Sequence, residues 1–139
     1  MSTYMFIALQ DDDKILAFTM DTDTGKLTPK AEVSVSGGPS LLAMSPDRTF
    51  LYVGHRSSSE ISSFRVDQDT GGLTWRGTIQ VVAAPTFLAT DRKGKFMLSA
   101  YYHGGHVAVH PIEDNGVVRG SNPSLTNLYT KSRSARIPT

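Results

Sequence analysis

Apolar and polar residues fall in short alternating blocks along the chain. Apolar runs at 4–9, 15–20, 27–36 and 41–44 are separated by polar turns at 10–14 and 21–26 and by the break Gly37-Gly38-Pro39. After the turn Ser45-Pro46-Asp47 the pattern starts over, with runs at 50–54, 61–66, 73–82 and 87–90 around loops at 55–59 and 67–72 and the break Ala84-Pro85. A third round follows a turn at 91–95, with runs at 96–101 and 106–112 around a loop at 102–105, closed by Asn115-Gly116. Asp, Asn, Ser, Gly and Pro concentrate in the breaks, where their local hydrogen bonding and backbone freedom favour turns. No stretch carries a 3.6-residue period of useful length. Short strands at regular spacing between turn signals predict an all-β fold.

The rounds share one period. Phe6 and Tyr52, Ile15 and Ile61, Phe18 and Phe64, Asp21 and Asp67, Gly25 and Gly71, Leu27 and Leu73, and Pro39 and Pro85 are each 46 positions apart. Phe50 to Phe96 and Ile61 to Val107 continue the register into a third copy. Four short strands per period of this length predict one blade of a β-propeller, since β-solenoid rungs are usually much shorter. Strands such as 50–53, apolar on both sides, fit a sheet sandwiched between neighbours. The chain holds about three four-stranded blades, whereas a ring closes with roughly four to eight. An open stack leaves apolar blade faces at both ends, so the expectation is a fragment or self-association through those faces. The expected organisation is a partial propeller over 1–120 and an irregular basic tail over 121–139.

Composition removes several alternatives. The 139 residues are ordinarily one domain, and a net charge of +1 gives no case for a nucleic-acid partner. The absence of cysteine excludes disulfides and thiolate chemistry. No apolar run reaches the roughly 18 residues a membrane helix needs. The sequence Met1-Ser2-Thr3-Tyr4 enters an apolar strand without the features of an export signal, so a cytoplasmic location without membrane association is expected.

Three motifs, in four segments, carry a family resemblance. Asp-x-x-Thr-Gly-x-Leu occurs at 21–27 and again at 67–73, Ser-Pro-Asp-x-x-Phe-Leu-Tyr-Val at 45–53, and Ala-Tyr-Tyr-His-Gly-Gly-His-Val-Ala-Val at 100–109. Over residues 4–120 the chain resembles the N-terminal part of the lactonase family of seven-bladed β-propellers. That family includes propeller-type 6-phosphogluconolactonase and the fungal carboxymuconate-lactonising enzymes. The resemblance implies hydrolysis of a sugar lactone by the parent protein, with 6-phosphogluconolactone, converted to 6-phosphogluconate in the pentose phosphate pathway, as leading substrate. It implies no cofactor, and a small-molecule lactone or sugar phosphate as partner. The strongest acid–base positions would lie in blades beyond this chain, so the fragment by itself is expected to be inactive. A carboxymuconate-type lactonising cyclase and a non-catalytic propeller scaffold remain as alternatives. Near residue 130, where the family usually carries a His-Ser pair, the sequence reads Thr130-Lys131-Ser132-Arg133. One choice of codons for 134–139, shifted by two bases, reads Gly-Ala-His-Ser-Asp, so a frameshifted tail is one expectation and an ordinary basic tail the other.

By the family's strand order, Ser40, His55, Arg56, Thr86, Tyr102 and His103 lie around one mouth of the central channel, the kind of concavity ligands prefer. The planar fork of Arg56 suits a phosphate or carboxylate, and its ordinary reading is a solvated loop arginine. His55 offers an acid or base near neutral pH, although packing between blades is the more ordinary role. Tyr102 offers a hydroxyl to a lactone, or packs at a blade edge. His103 is a polar pocket group or a surface residue, and Tyr101 reads as packing. His103, His106 and His110 lack a carboxylate at partner spacing, and the Asp11-Asp12-Asp13 turn lacks further oxygen ligands, so no metal site is expected. No Gly-x-Ser-x-Gly elbow is present to support a serine hydrolase.

Overall fold

The computed structural model describes residues 3–120. The expected tail at 121–139 lies outside them. Ten strands form three antiparallel sheets: β1 (Tyr4–Leu9), β2 (Lys14–Met20) and β3 (Leu27–Ser34); β4 (Pro39–Met44), β5 (Phe50–His55), β6 (Glu60–Val66) and β7 (Leu73–Gln80); β8 (Phe87–Thr90), β9 (Phe96–Tyr101) and β10 (His106–Pro111). Each sheet is a blade built as a meander, and the fold is a partial β-propeller. The described residues give the blades three, four and three strands rather than four each. In register β1 corresponds to β5 of blade 2, so among the described residues blade 1 has no counterpart of β4, and the counterpart of β7 in blade 3 would run over 119–126, largely outside them. After β10, an isolated bridge joins Ile112 to Val118 across the Asn115-Gly116 turn. Pro39, expected as a break, instead opens β4 opposite His55, a strand-start position that a residue without an N–H tolerates.

The 46-residue period extends to backbone conformation. Positive φ occurs at Asp13 (51°), Ser59 (54°) and Gly105 (59°), at Arg48 (64°) and Gly94 (67°), and at Gly25 (75°) and Gly71 (74°), all register equivalents. The bulge in β2 between Ala17 and Phe18 recurs in β6 between Ser63 and Phe64. In the first Asp-x-x-Thr-Gly turn Asp21 Oδ1 accepts the amides of Asp23 and Thr24, and in the second Asp67 Oδ1 accepts those of Asp69 and Thr70. These bonds favour the ionised form and hold the Asp67 carboxyl below its ordinary range.

Two cores form between the blades. Phe6, Ala8 and Ile15 of blade 1 meet Leu51, Val53, Phe64 and Val66 of blade 2. On the opposite face of blade 2, Phe50, Tyr52 and Ile61 meet Leu88, Met97, Tyr101 and Ala108 of blade 3. Side chains alternate along a strand, so β5 supplies both cores and is buried along its whole length. Polar groups bridge the same seams: Tyr4 Oη donates to the Asp69 carbonyl (2.6 Å), Tyr52 Oη to the Gly116 carbonyl (2.8 Å), and the Val118 amide to Ser63 Oγ (3.1 Å). Burial pushes the Tyr52 hydroxyl up to about 12, with a smaller push from the Asp47 charge.

The Ser45-Pro46-Asp47 turn that launches β5 is tied by one carboxylate. Asp47 Oδ1 accepts from Ser45 Oγ (2.7 Å), Thr49 Oγ1 (2.7 Å) and the Thr49 amide (3.0 Å), while Ser45 Oγ also accepts from the Phe50 amide (3.0 Å). The Ser45 hydroxyl, and then the Thr49 groups, hold the Asp47 carboxyl below its ordinary 3.8. Because the folded value is depressed, this stabilisation is present above the unfolded value and lost as pH falls through the folded one. Asp47→Ala is expected to cost about 1 kcal/mol at pH 7, with the difference from the parent chain vanishing in strong acid. Urea denaturation at neutral and acid pH measures both.

Candidate functional site

Glycine shapes the rim at the start of β4. Gly37 and Gly38 take φ of 90° and 70°, and a Cβ on either would run into Ser58 or Ser57. Their carbonyls are thereby close enough to accept the amides of Arg56 (3.0 Å, Gly38), Ser57 (3.0 Å, Gly37) and Ser58 (3.2 Å, Gly37). The Gly38 amide donates to Asp13 Oδ1 of blade 1 at 2.9 Å, fixing this loop to the neighbouring β1–β2 turn. Ser40 and Arg56 are in this way held at one end of blade 2, with Ser40 half-buried and Arg56 exposed.

Blade 3 repeats the arrangement. Thr86 stands 46 positions after Ser40, and Tyr102 stands 46 after Arg56. Both the amide and the hydroxyl of Thr86 donate to the Ala100 carbonyl, at 2.8 and 3.0 Å. Tyr102 is 81% exposed, and its ring meets His103 edge to face at 5.5 Å. Ser40 and Arg56 therefore match Thr86 and Tyr102 in position at the same end of two adjoining blades, and His103, the counterpart of Ser57, lies beside Tyr102. The rim offers a guanidinium, a phenol, an imidazole and hydroxyls, a set that binds oxyanions and hydroxyls.

His55 is placed differently. It is 4% exposed, with Nδ1 2.8 Å from the Ser36 carbonyl and Nε2 2.6 Å from Ser62 Oγ. Ser62 Oγ in turn meets Thr78 Oγ1 at 2.8 Å, which also receives the Trp75 indole N–H. With both nitrogens engaged, the imidazole secures the Ser36–Gly37 approach beneath the rim. It lines a cleft of about 380 Å³ between the outer part of blade 1 and blade 2, with Ser36, Ser62, Trp75 and Thr78. Tyr101, the register equivalent of His55, is also buried, and stacks on His106 at 4.4 Å.

Two further clefts open around the Ser45-Pro46 turn. One, of about 450 Å³, lies between blades 1 and 2 with Phe6, Leu42, Met44 and Arg48 in its wall. The other, of about 750 Å³, lies between blades 2 and 3 and gathers Arg65, Arg92, Lys93 and Lys95 with Asp47, Glu113 and Asp114. Sequence reasoning passed over this charged cleft, although Arg92-Lys93-Gly94-Lys95 was the signal for its cationic side. Among the described residues, no group of three metal-ligating side chains is gathered, and no helix is long and apolar enough to cross a membrane.

The comparisons with known proteins agree with this architecture. A family model described as Lactonase, 7-bladed beta-propeller, matches residues 1–136. A provisionally assigned 6-phosphogluconolactonase of Bacteroides fragilis is 27% identical, with a TM-score of 0.77 over 86% of this chain and 35% of that one. A similarly assigned protein of Bacteroides uniformis is 28% identical, with a TM-score of 0.76 over 85% and 36%. The periplasmic gluconolactonase PpgL of Pseudomonas aeruginosa shares the fold at 20% identity, with a TM-score of 0.78 over 97% of this chain and 40% of its own. The chain spans between a third and two-fifths of the length of these structures. No curated protein matches.

Proposed function

Since this chain belongs to the lactonase family of seven-bladed β-propellers, we propose that its three blades supply part of the site of a sugar-lactone hydrolase, with 6-phosphogluconolactone as substrate. The observation that carries the reading is the repeated placement of Ser40 and Arg56 in blade 2 and of Thr86, Tyr102 and His103 in blade 3, at one end of adjoining blades. Arg56 holds the phosphate or a carboxylate of the sugar acid through paired N–H donors. Tyr102 donates to a sugar hydroxyl or the lactone oxygen. His55 positions the loop rather than touching substrate, because both of its nitrogens are engaged. Hydrolysis requires a base to deprotonate water and a cationic or N–H group to receive the charge developing on the carbonyl oxygen. The base is not assigned to any of these residues, and we place it in blades beyond the three described. A phosphosugar substrate fits a cytoplasmic setting.

Two measurements test this reading. Arg56→Ala is expected to weaken binding of 6-phosphogluconate, the stable product, by about 10- to 100-fold, as loss of a charge-assisted contact should. Equal affinity of parent and variant in calorimetry would remove Arg56 from the site, and tighter binding of a muconate-type dicarboxylate would favour the lactonising cyclase. In a hydrolysis assay with 6-phosphogluconolactone the chain alone is expected to show no turnover above background. Turnover comparable to that of a complete seven-bladed relative would show that the three blades already hold the base.

A further inference from the structure

The cleft beside His55 departs from the repeat. Its walls are the end of β3 and the outer part of blade 2, all within residues 34–78, so it lies inside the described chain rather than at either end. In blade 3 the counterparts of His55, Glu60 and Ser62 are Tyr101, His106 and Ala108. There Tyr101 and His106 cover each other by stacking at 4.4 Å. In blade 2 the same positions are polar and border about 380 Å³ of open space. A local break in an otherwise consistent packing pattern is where function is to be sought.

The two ends of the cleft differ chemically. Along β6, Glu60 stands opposite His55 at one end, and Phe64 stands opposite Trp75 at the other. Between them His55, Ser62 and Thr78 bond to one another, so the middle of the cleft is already satisfied. The Trp75 indole N–H donates to Thr78 Oγ1 at 2.8 Å, which fixes the ring along the cleft while the residue stays 61% exposed. Among the described residues Glu60 is in no ion pair, and the cleft wall includes no lysine or arginine. A carboxylate at one end and a fixed, uncovered aromatic face at the other suit a cation with an apolar tail. Thr78 pairs with Ser62, two positions along β6 from Glu60, so the levels of the Glu60 residue and the indole N–H lie roughly 7 Å apart along the strand, about the length of a short alkyl chain. We propose that this cleft binds a small alkylammonium cation, with its ammonium on the Glu60 carboxylate and its chain against the Trp75 ring. The volume is of the size small ligands occupy. This inference does not depend on the lactonase reading.

Trp75 is the only tryptophan in the sequence, so its fluorescence reports on this cleft alone. Titration with butylammonium chloride at pH 7 and constant ionic strength is expected to change the emission saturably, with half-saturation in the millimolar range. Sodium chloride in its place should leave the emission unchanged. Methylammonium, which lacks the chain, should bind about tenfold more weakly, a comparison that uses the parent chain alone. Glu60→Gln, a conservative change at a half-buried position, should weaken butylammonium about tenfold through loss of the charge-assisted bond, with an unchanged circular dichroism spectrum. An emission change that does not saturate, equal affinity for the two amines, equal affinity of parent and variant, or tighter binding of a neutral sugar such as methyl glucoside would each overturn the proposal.

Discussion

Gly116→Val is expected to destabilise the chain by about 3 kcal/mol and to lower its melting temperature by roughly 10 °C, by forcing blade 3 off blade 2. Two costs combine. Gly116 sits at φ 87°, where a side chain costs about 1–2 kcal/mol. A Cβ there would also enter the ring of Phe50, and accommodating added bulk in a packed seam costs about 1–3 kcal/mol. The Gly116 carbonyl receives the Tyr52 hydroxyl, so displacement of the turn breaks an interblade hydrogen bond as well. Blade 1 and blade 2 are joined by the same device, with Tyr4 lying against Gly71 at φ 74°. Gly120→Val is the control: no neighbour lies within 4 Å of a Cβ at that position, and the change should stay within about 0.5 kcal/mol. Thermal melts of the two variants side by side decide the matter, and equal melting temperatures would mean that the seam at Gly116 adapts.

His110→Phe is expected to stabilise the chain by about 1–2 kcal/mol at pH 7. His110 is 1% exposed, with Nε2 2.8 Å from Ser99 Oγ. Its Nδ1 has no hydrogen-bond partner of good geometry among the described residues. The register equivalents in blades 1 and 2 are Phe18 and Phe64, and Phe64 fits the corresponding seam. Ser99 keeps a partner in the variant, because its hydroxyl also meets the Tyr101 hydroxyl at 2.9 Å. Burial holds the His110 imidazole below its ordinary 6.5, with the nearby Arg119 backbone offsetting part of the shift. The unfolded chain therefore takes up a proton that the folded chain resists, and stability contributed here is lost as pH falls below about 6.5, by at most about 1.4 kcal/mol per pH unit. The advantage of the phenylalanine variant should accordingly widen between pH 7 and pH 5 in denaturant titrations. A variant less stable than the parent at both pH values would show that the His110–Ser99 bond outweighs the unpartnered nitrogen.

Much of the architecture was legible because the repeat writes the same turn chemistry at the same spacing. The Asp-x-x-Thr-Gly turns impose their own hydrogen bonds on any chain that contains them, and the strands between them had nowhere else to end. The division of the described residues into three, four and three strands was less visible, because the period alone does not say which strand of a blade comes first, and the fourth strand of blade 3 would run over 119–126, largely outside those residues. The candidate rim was legible only as a set of loops, through the spacing of Ser40 and Arg56 to Thr86 and Tyr102. The burial of His55 agrees with packing between blades, its more ordinary reading, whereas its partners were not legible: strand position turns its ring toward Ser36 and Ser62, 19 and 7 residues away. The charged cleft around Arg65 and Lys95 joins residues far apart in the chain, and only the meeting of blades 2 and 3 assembles it.

The most direct test of the proposed rim is a titration of the ¹⁵N-labelled chain with 6-phosphogluconate, followed by amide chemical shifts. The account predicts perturbations gathered at Ser40, Arg56, Thr86, Tyr102 and His103, with the amides near Arg92 and Lys95 at the other end of the blades unmoved. Shifts confined to that charged cleft, or none at concentrations that saturate a seven-bladed relative, would contradict it.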